Sequence, residues 1–589
     1  MTADAWITLA VIVGVLVLLI IDKASPAIIV LGGTVGLLIV GVIDPEQAFS
    51  GFSNPAPITV AALFVLAAGV EKTGALAPLM QRTLGERGYL RRPLLRLTVP
   101  TVAASAFLNN TPIVAMLVPQ VTAWADRRGV SVSKLLMPIS FAALLGGVIT
   151  LIGTSTNLVV SGQMHASGLE PIGFFEIALL GLPIALLGSV IMIALAPRVL
   201  PARRSAREEM EEEGRRFNVE MLVDHNGPVD GQSVEQAKLR NLRGLFLASV
   251  DRGDSVVAPV RPDTVLRGGD RLHFVGRADQ VVDLQSRRGL SSAELTHVKE
   301  LANPSVRYFE TVIGSRSPIV GNTLREFDFR SRYQAAVVAI ERDGHLVEDQ
   351  LGRVPIRVGD TLMLVSDPGF RNRWYNRADF LLIAELDGRP PQATRNAWIP
   401  IALLAAVVLL AALDLVPILQ GALAASFVLV ALRVLTPAEA ARSIDVEVIV
   451  VIAAAFGIAA ATESSGLAQF VADSVVHALG GWGERGVLLG IVLATMILTE
   501  LITNNAAALL MVPIGVAAAS ATTLDPRGVA IAVAVAASMS FLTPIGYQTN
   551  TMVYGPGGYR FTDYVRLGAP LTLLAITVIV LLVPVLWAG

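Results

Sequence analysis

No cysteine occurs anywhere in the 589 residues. Its absence removes disulfide frameworks, thiol catalysis and Cys-ligated zinc or iron–sulfur sites. Charge is scarce too. Charged residues make up 16% of the chain, against about 25% in an ordinary soluble domain. A net charge of −2 leaves no basic footprint for nucleic acid. No P-loop motif is present, so ATP drive from this chain has no support. The six histidines are scattered without metal spacing. With no nucleophile–base pair in view, an enzyme is the least favoured class.

What the chain has is hydrocarbon: 53% of its residues are hydrophobic. The average hides a division. Residues 198–396 hold 30 of the 46 Lys+Arg and 29 of the 48 Asp+Glu. The flanks, 1–197 and 397–589, are nearly equal in length and strongly apolar. A spanning helix takes about 20 apolar residues. The first flank offers segments 6–21, 27–43, 58–80, 97–124, 135–165 and 174–196. The second offers 397–413, 418–435, 446–478, 486–520, 527–555 and 565–588. The run Trp6–Ile21 has no basic n-region and no cleavage site, so it is expected to stay as a membrane helix.

The flanks repeat each other. Glu71-x-Thr73-Gly74 recurs as Glu463-x-Ser465-Gly466. Asn110 with Pro119 recurs as Asn504 with Pro513, and Ser105 before the first Asn matches Thr499 before the second. Thr150-Leu-Ile-Gly153 recurs as Thr543-Pro-Ile-Gly546, each followed by Thr-Asn at 156–157 and 549–550. Basic residues flank segment 97–124 on both sides: Arg82, Arg87, Arg91, Arg92 and Arg96 before it, Arg127, Arg128 and Lys134 after it. The positive-inside rule puts both flanks in the cytoplasm. The segment is then a re-entrant hairpin tipped by Asn109-Asn110-Thr111. Segment 486–520 has sparse, mixed charge around it (Glu484, Arg485, Asp525, Arg527) and reads as a hairpin from outside, tipped by Thr503-Asn504-Asn505. The expected fold is an all-α polytopic membrane protein of two inverted repeats, about ten transmembrane helices plus two hairpins.

The charged middle is itself duplicated at an offset of 90 residues. Val229-Asp-Gly231-Gln-Ser-Val matches Ile319-Val-Gly321-Asn-Thr-Leu, and Leu266–Leu272 matches Ile356–Leu362. Short alternating runs such as Leu245–Val250 and Ala335–Ile340 have strand chemistry. The expected division is 1–197 first membrane repeat, 198–217 charged linker, 218–300 and 301–396 paired α/β insert domains, and 397–589 second membrane repeat. The insert is expected to be cytoplasmic, and the chain to lie in the inner (plasma) membrane.

Broken backbone at membrane depth is tolerated where it lines a cavity or is buried in protein. Helix N-termini there favour anions, while C-termini and unwound carbonyls favour cations. Two hairpin tips and two breaks, 151–157 and 543–550, therefore suit a small anion flanked by monovalent cations. A single membrane Asn or Thr is more often interhelical glue. Recurrence at matched spacing beside breaks argues for a site. Glu71, Glu176, Glu447, Glu463 and Glu500 are the acids in or near apolar segments. Glu71 and Glu463 are repeat mates, open as proton carriers or as interfacial groups. Gly481-Trp-Gly483-Glu-Arg-Gly486 follows no strand and is a chance match to a nucleotide motif.

These motifs resemble the divalent anion/sodium symporter family of the ion-transporter superfamily. Members carry Ser-Asn-Thr hairpin tips, which Asn109-Asn110-Thr111 and Thr503-Asn504-Asn505 match at the central Asn. Their Gly-Thr-Pro-Pro-Asn loop is similar to Gly153-Thr154-Ser155-Thr156-Asn157 and Gly546-Tyr547-Gln548-Thr549-Asn550. The resemblance implies an elevator-type carrier, a homodimer, with sodium as coupling ion and no other cofactor. It implies a first sodium site at Ser105, Asn110, Gly153 and Asn157, and a second at Thr499, Asn504, Gly546 and Asn550. It implies anion contacts from Asn109, Asn110, Thr111, Thr154, Thr503, Asn504, Asn505 and Tyr547. Asn109, Ser155, Asn505 and Tyr547 depart from the family pattern. The insert resembles two tandem TrkA-C (RCK-C) domains, a module that can hold a small regulatory ligand, and members with it are assigned to sulfate or related anions. The expected function is sodium-coupled symport of sulfate. Alternatives are a sodium- or proton-coupled dicarboxylate carrier and an anion-sensing receptor.

Overall fold

The computed structural model describes residues 1–21, 25–75, 91–128, 130–203, 218–239, 245–252, 256–257, 260–276, 290–292, 307–314, 317–342, 345–347, 351–374, 379–385 and 396–587. Arg82, Arg87 and the acidic run Glu208–Glu213 of the charged linker lie outside the described residues.

The first flank folds as α1 (Ala3–Ile21), α2 (Pro26–Val40), α3 (Pro45–Ser53), α4 (Pro55–Lys72), α5 (Arg91–Ser105), α6 (Asn110–Arg128), α7 (Leu136–Gly147), α8 (Ser155–Ala166) and α9 (Ala178–Val199). Local chemistry sets many of the ends. Asp44 and Gln47 form a capping box with Pro45 at the first turn of α3. Asn54 caps α4, again with proline behind it.

The insert holds two five-stranded antiparallel sheets. Their strands are β1 (Asn218–Val223), β2 (Leu245–Asp251), β3 (Val256–Val257), β4 (Arg271–Gly276) and β5 (Leu290–Ser292), then β6 (Arg307–Ile313), β7 (Ala335–Arg342), β8 (His345–Leu346), β9 (Thr361–Ser366) and β10 (Phe380–Glu385). Sheet orders are β3-β2-β4-β1-β5 and β10-β6-β9-β7-β8, the same topology twice. Register repeats as well: Met221 faces Leu272, and Thr311 faces Leu362. Even the irregularity between Leu247 and Ser249 returns between Val337 and Ala339. One buried ion pair recurs, Arg252–Asp270 at 3.1 Å and Arg342–Asp360 at 2.7 Å. Gly269 and Gly359 before those strands both have positive φ, 91° and 86°, which only glycine adopts at no steric cost. Two short helices, α10 (Phe329–Tyr333) and α11 (Phe370–Trp374), accompany the second sheet.

The second flank contains α12 (Trp398–Ala412), α13 (Ile418–Ala431), α14 (Pro437–Ser443), α15 (Val446–Ser464), α16 (Leu467–Leu479), α17 (Glu484–Leu501), α18 (Asn504–Ser520), α19 (Pro526–Ser538), α20 (Gln548–Tyr554) and α21 (Phe561–Leu586). Apart from α16, whose counterpart stretch 76–90 lies outside the described residues, it follows the first flank helix for helix, and the two are exchanged in space. α2 and α3 pack on α15, while α13 and α14 pack on α4. The Thr34 hydroxyl on α2 donates to the Ala454 carbonyl on α15 at 2.7 Å. Its mate Ser426 on α13 donates to Ala62 on α4 at 2.9 Å.

Among the described residues, five helices are long and apolar enough to cross a membrane: α1, α3–α4, α9, α15 and α21. Six more apolar helices have 10–17 residues. This differs from an even set of ten full-length spans. Segments 135–165 and 527–555 break into pairs (α7/α8 and α19/α20), and loops trim α12 and α13 to 15 and 14 residues. Large apolar side chains stay exposed on the outer helices, such as Ile39 at 79% and Phe427 at 74%. Exposed apolar area on that scale suits lipid contact.

Two polar clusters mark opposite ends of the α9/α21 pair. At one end Arg203 pairs with Asp563 at 2.9 Å, and Lys134, just after the first hairpin, donates to Pro197 at 3.3 Å. At the other end Arg527, just after the second hairpin, clasps Glu176 at 2.5 Å, and Trp587 donates to the same carboxylate. The hairpins therefore close at opposite ends of the molecule.

Candidate functional site

Helices α6, α8 and α18, of 19, 12 and 17 residues, all begin at one cluster, and the short α20 begins there too. The N-cap side chains Thr154, Thr503 and Tyr547 make no capping bond to α8, α18 and α20. Their first-turn N–H groups are thus not consumed by their own caps, which is the arrangement that holds an anion. α5, α7, α17 and α19 end close by, and their carbonyl ends favour cations.

Asn110, the first residue of α6, is 1% exposed. Its Oδ1 accepts from Ser105 Oγ, and its Nδ2 donates to the Tyr547 hydroxyl at 2.9 Å. Thr154 Oγ1 lies 3.4 Å from the same hydroxyl, and Asn504 is a further polar neighbour of it. Asn504 Nδ2 donates to Thr156 Oγ1 at 2.6 Å, and Thr156 passes a bond on to Asn505 Oδ1 at 3.0 Å. Ser155 donates to that oxygen at 3.2 Å. Asn110, Thr154, Asn504, Asn505 and Tyr547 are thus brought together across the two halves. Three other sequence candidates are not in this cluster. Thr111 reaches Gln548 Oε1 at 3.3 Å on its edge. Asn109 lines an apolar crevice with Val60, Phe64 and Leu108. Thr503 is exposed.

The breaks are bracketed by a mirrored pair of amides. Asn157 Nδ2 donates to Gly147 and Thr150 carbonyls at 3.0 and 2.9 Å. Asn550 Nδ2 donates to Ser540 and Thr543 carbonyls at 3.0 and 3.1 Å. Their oxygens differ. Asn550 Oδ1 accepts from Ser140 Oγ at 2.7 Å. Asn157 Oδ1 is buried with no hydrogen-bond partner among the described residues. A lone buried acceptor oxygen is the kind of group that a cation satisfies. Asn157 lies in the first turn of α8, just after the loop that carries Gly153, whose Cβ position would meet the Gly147 carbonyl carbon at 2.9 Å.

The second break is built on a carboxylate. Glu500 accepts from the Leu542 N–H at 2.9 Å and from Thr543 Oγ1 at 2.7 Å. In the first half the mate of Thr543, Thr150, donates instead to the backbone carbonyl of Ala106. A Cβ on Gly546 would meet Glu500 Oε2 at 2.7 Å and Thr543 Oγ1 at 3.0 Å, so this glycine faces an oxygen cradle. Thr499, one residue earlier, donates to the Ala537 carbonyl at 2.6 Å. Spacing alone did not disclose Thr156 or Ser140 as bridging groups, because neither breaks a pattern. Gln548 had no signal beyond its place after Tyr547.

The other intramembrane acids lie elsewhere. Glu71 and Glu463 occupy the last turns of α4 and α15, and Glu463 accepts from Ser167 at 2.9 Å. Glu447 sits in the first turn of α15 and accepts from Ser25 at 3.0 Å.

A repeated helical body with apolar outer faces and paired helix breaks around one polar cluster defines a multi-pass membrane transporter. The chain belongs to the family CitMHS, described as "Citrate transporter", of the ion-transporter superfamily, and matches it over residues 16–535 and 479–589. The superfamily is the one the tip motifs point to; the family within it is described by citrate. An uncharacterized transporter of Synechocystis is 35% identical over 585 residues, covering 96% of this chain and 95% of that one. A putative sulfur deprivation response regulator of Chlamydomonas reinhardtii is 34% identical, covering 92% and 94%. Sodium/sulfate cotransporter 1 of the same alga is 24% identical, covering 90% and 83%.

Proposed function

We propose that this chain is a sodium-coupled symporter of a small divalent anion, sulfate foremost. The observation that carries the reading is the meeting of Asn110 and Asn504, from the two hairpin tips, at a cluster where helices from both halves begin. Amide and hydroxyl donors with uncapped helix starts offer hydrogen bonds and positive dipole ends to an anion without a buried cationic side chain. Sodium fits the flanking groups: Ser105, Asn110, Gly153 and the unpartnered oxygen of Asn157 on one side, and Thr499, Asn504, Gly546 and Asn550 with the Glu500 carboxylate on the other. Hard oxygen donors suit an alkali cation. Relatives named sodium/sulfate cotransporters support both the ion and the anion.

In this reading α5–α8 and α17–α20 carry the anion past a scaffold of the outer helices by an elevator motion, in a homodimer of the plasma membrane. In the same reading the insert is a cytoplasmic pair of TrkA-C domains that takes a small regulatory ligand. A second reading, transport of a carboxylate anion, is favoured by the family's description as citrate transporters. Counterflow in proteoliposomes decides between them. Radiolabelled sulfate, succinate, citrate, phosphate and arsenite are offered with and without sodium. Sodium-dependent sulfate exchange that Asn110→Ala or Asn504→Ala abolishes, with protein still folded by gel filtration, is expected. Normal sulfate exchange in both variants removes the site assignment.

A further inference from the structure

Thr154 and Tyr547 are repeat mates: each follows the glycine of its break and precedes the first residue of a helix. Their backbones are almost superposable, φ −141° and ψ 149° for Thr154, φ −146° and ψ 140° for Tyr547. Only the side chains differ. The tyrosine ring crosses the divide and delivers its hydroxyl to Asn110 at 2.9 Å and Thr154 at 3.4 Å, with Asn504 beside it. The ring is 9% exposed. The amide of the first hairpin tip therefore already points at an oxygen that belongs to the protein, with Asn504 of the second tip beside it and donating to Thr156.

We propose that Tyr547 sets the length of anion that the site accepts: its ring fills the space on one side of the two tip asparagines, so a compact tetrahedral oxyanion fits and an extended di- or tricarboxylate does not. The inference rests on the anion-site reading above. A phenol in this position does two things. Its hydroxyl holds the donors in place while the site is empty, and it turns to donate to an anion oxygen once one enters. Its ring takes up room that the smaller side chain of a threonine at the same position would not fill. A site closed on one side by a packed aromatic rejects a longer ligand by steric clash, which shapes selectivity as strongly as any added contact.

The test uses the full chain in proteoliposomes, with sulfate and succinate as probes and sodium present. The wild type is expected to favour sulfate. Tyr547→Thr, which restores the internal symmetry, is expected to shift the succinate-to-sulfate uptake ratio upward by about ten- to hundredfold. Tyr547→Phe keeps the ring, so it is expected to weaken sulfate uptake and leave succinate excluded. Should Tyr547→Thr lose stability, titration of the detergent-purified wild type and Tyr547→Phe with each anion replaces the flux measurement. Sulfate-only binding by both supports the proposal; succinate binding as tight as sulfate binding in either overturns it. A wild type that moves anions with a ratio unchanged in Tyr547→Thr also overturns this proposal while leaving the anion site standing. A wild type that neither moves nor binds any anion overturns the reading beneath it.

Discussion

At the scale of single residues, the breaks rest on two amides. Asn157 and Asn550 each spend both Nδ2 hydrogens on carbonyls that the broken helix would otherwise leave bare. A buried carbonyl without a donor costs roughly 1–3 kcal/mol. Aspartate has almost the same shape and no amide hydrogens, so it sets a carboxylate against two carbonyl oxygens. Asn157→Asp and Asn550→Asp are each expected to lower the melting temperature and stop uptake. Asn→Gln or Asn→Ser at these positions is expected to be milder. Thermal melts in detergent, alongside counterflow, check both; unchanged melting in the two Asp variants would count against the bracketing role. The importance of these two asparagines was legible from the matched spacing of 110 to 157 and 504 to 550. What they bond was not. Spacing locates a residue on the chain, and a bridge such as Asn504–Thr156–Asn505 depends on which loops from opposite halves meet.

At the scale of elements, the last helix of each half presses on a break through a glycine. A Cβ on Gly181 of α9 would strike the Val148 carbonyl, with its carbon at 2.6 Å. A Cβ on Gly568 of α21 would strike the Phe541 carbonyl, with its carbon at 2.7 Å. Val148 and Phe541 are repeat mates, so the same close approach is made twice. Backbone cannot swing aside as a side-chain tip can. Overpacking of this kind typically costs about 1–3 kcal/mol. Gly181→Val and Gly568→Val are expected to destabilise the protein and displace the breaks, lowering uptake more than Gly14→Val or Gly32→Val, where a Cβ meets nothing within 4 Å. Equal loss at all four would show that membrane glycines are simply intolerant here. The helices themselves were legible as apolar runs, and the duplication as motif pairs. Their lengths were not. Hydropathy registers that 135–165 is apolar, whereas the break between Gly147 and Ser155 follows from where α9 and the hairpin press on it.

At the scale of the whole molecule, the insert reaches two helices that begin at the site, α6 and the short α20, each of which packs on β10. α20 begins beside Tyr547, carries Asn550, and ends at Tyr554. There the second insert domain docks: a Cβ on Gly359 would touch Tyr554 Cδ1 at 3.5 Å. Gly555, the next residue, lies so close to β9 that a Cβ on it would collide with Thr361 Oγ1 and meet Thr361 Cβ at 3.0 Å. The residues that shape the anion site and those that meet the insert are thus two turns apart on one rigid element. Both ends of this contact lie in stretches that stood out in the sequence, Ile356–Leu362 as half of the insert's duplication and Tyr554-Gly-Pro-Gly-Gly-Tyr559 as a helix end at the membrane edge, but nothing in either says that the two meet. If the insert acts on transport through this contact, a clash here must change flux and relief of the clash must restore it. Gly555→Ala is expected to reduce the uptake rate and to make the insert easier to cleave with trypsin. Adding Thr361→Gly to the same chain removes the colliding side chain, and both effects are expected to reverse. A double variant as impaired as Gly555→Ala alone would place the fault in α20 itself. Reversal of the cleavage pattern without recovery of uptake would separate this docking contact from transport, and the insert would then not govern the site through α20.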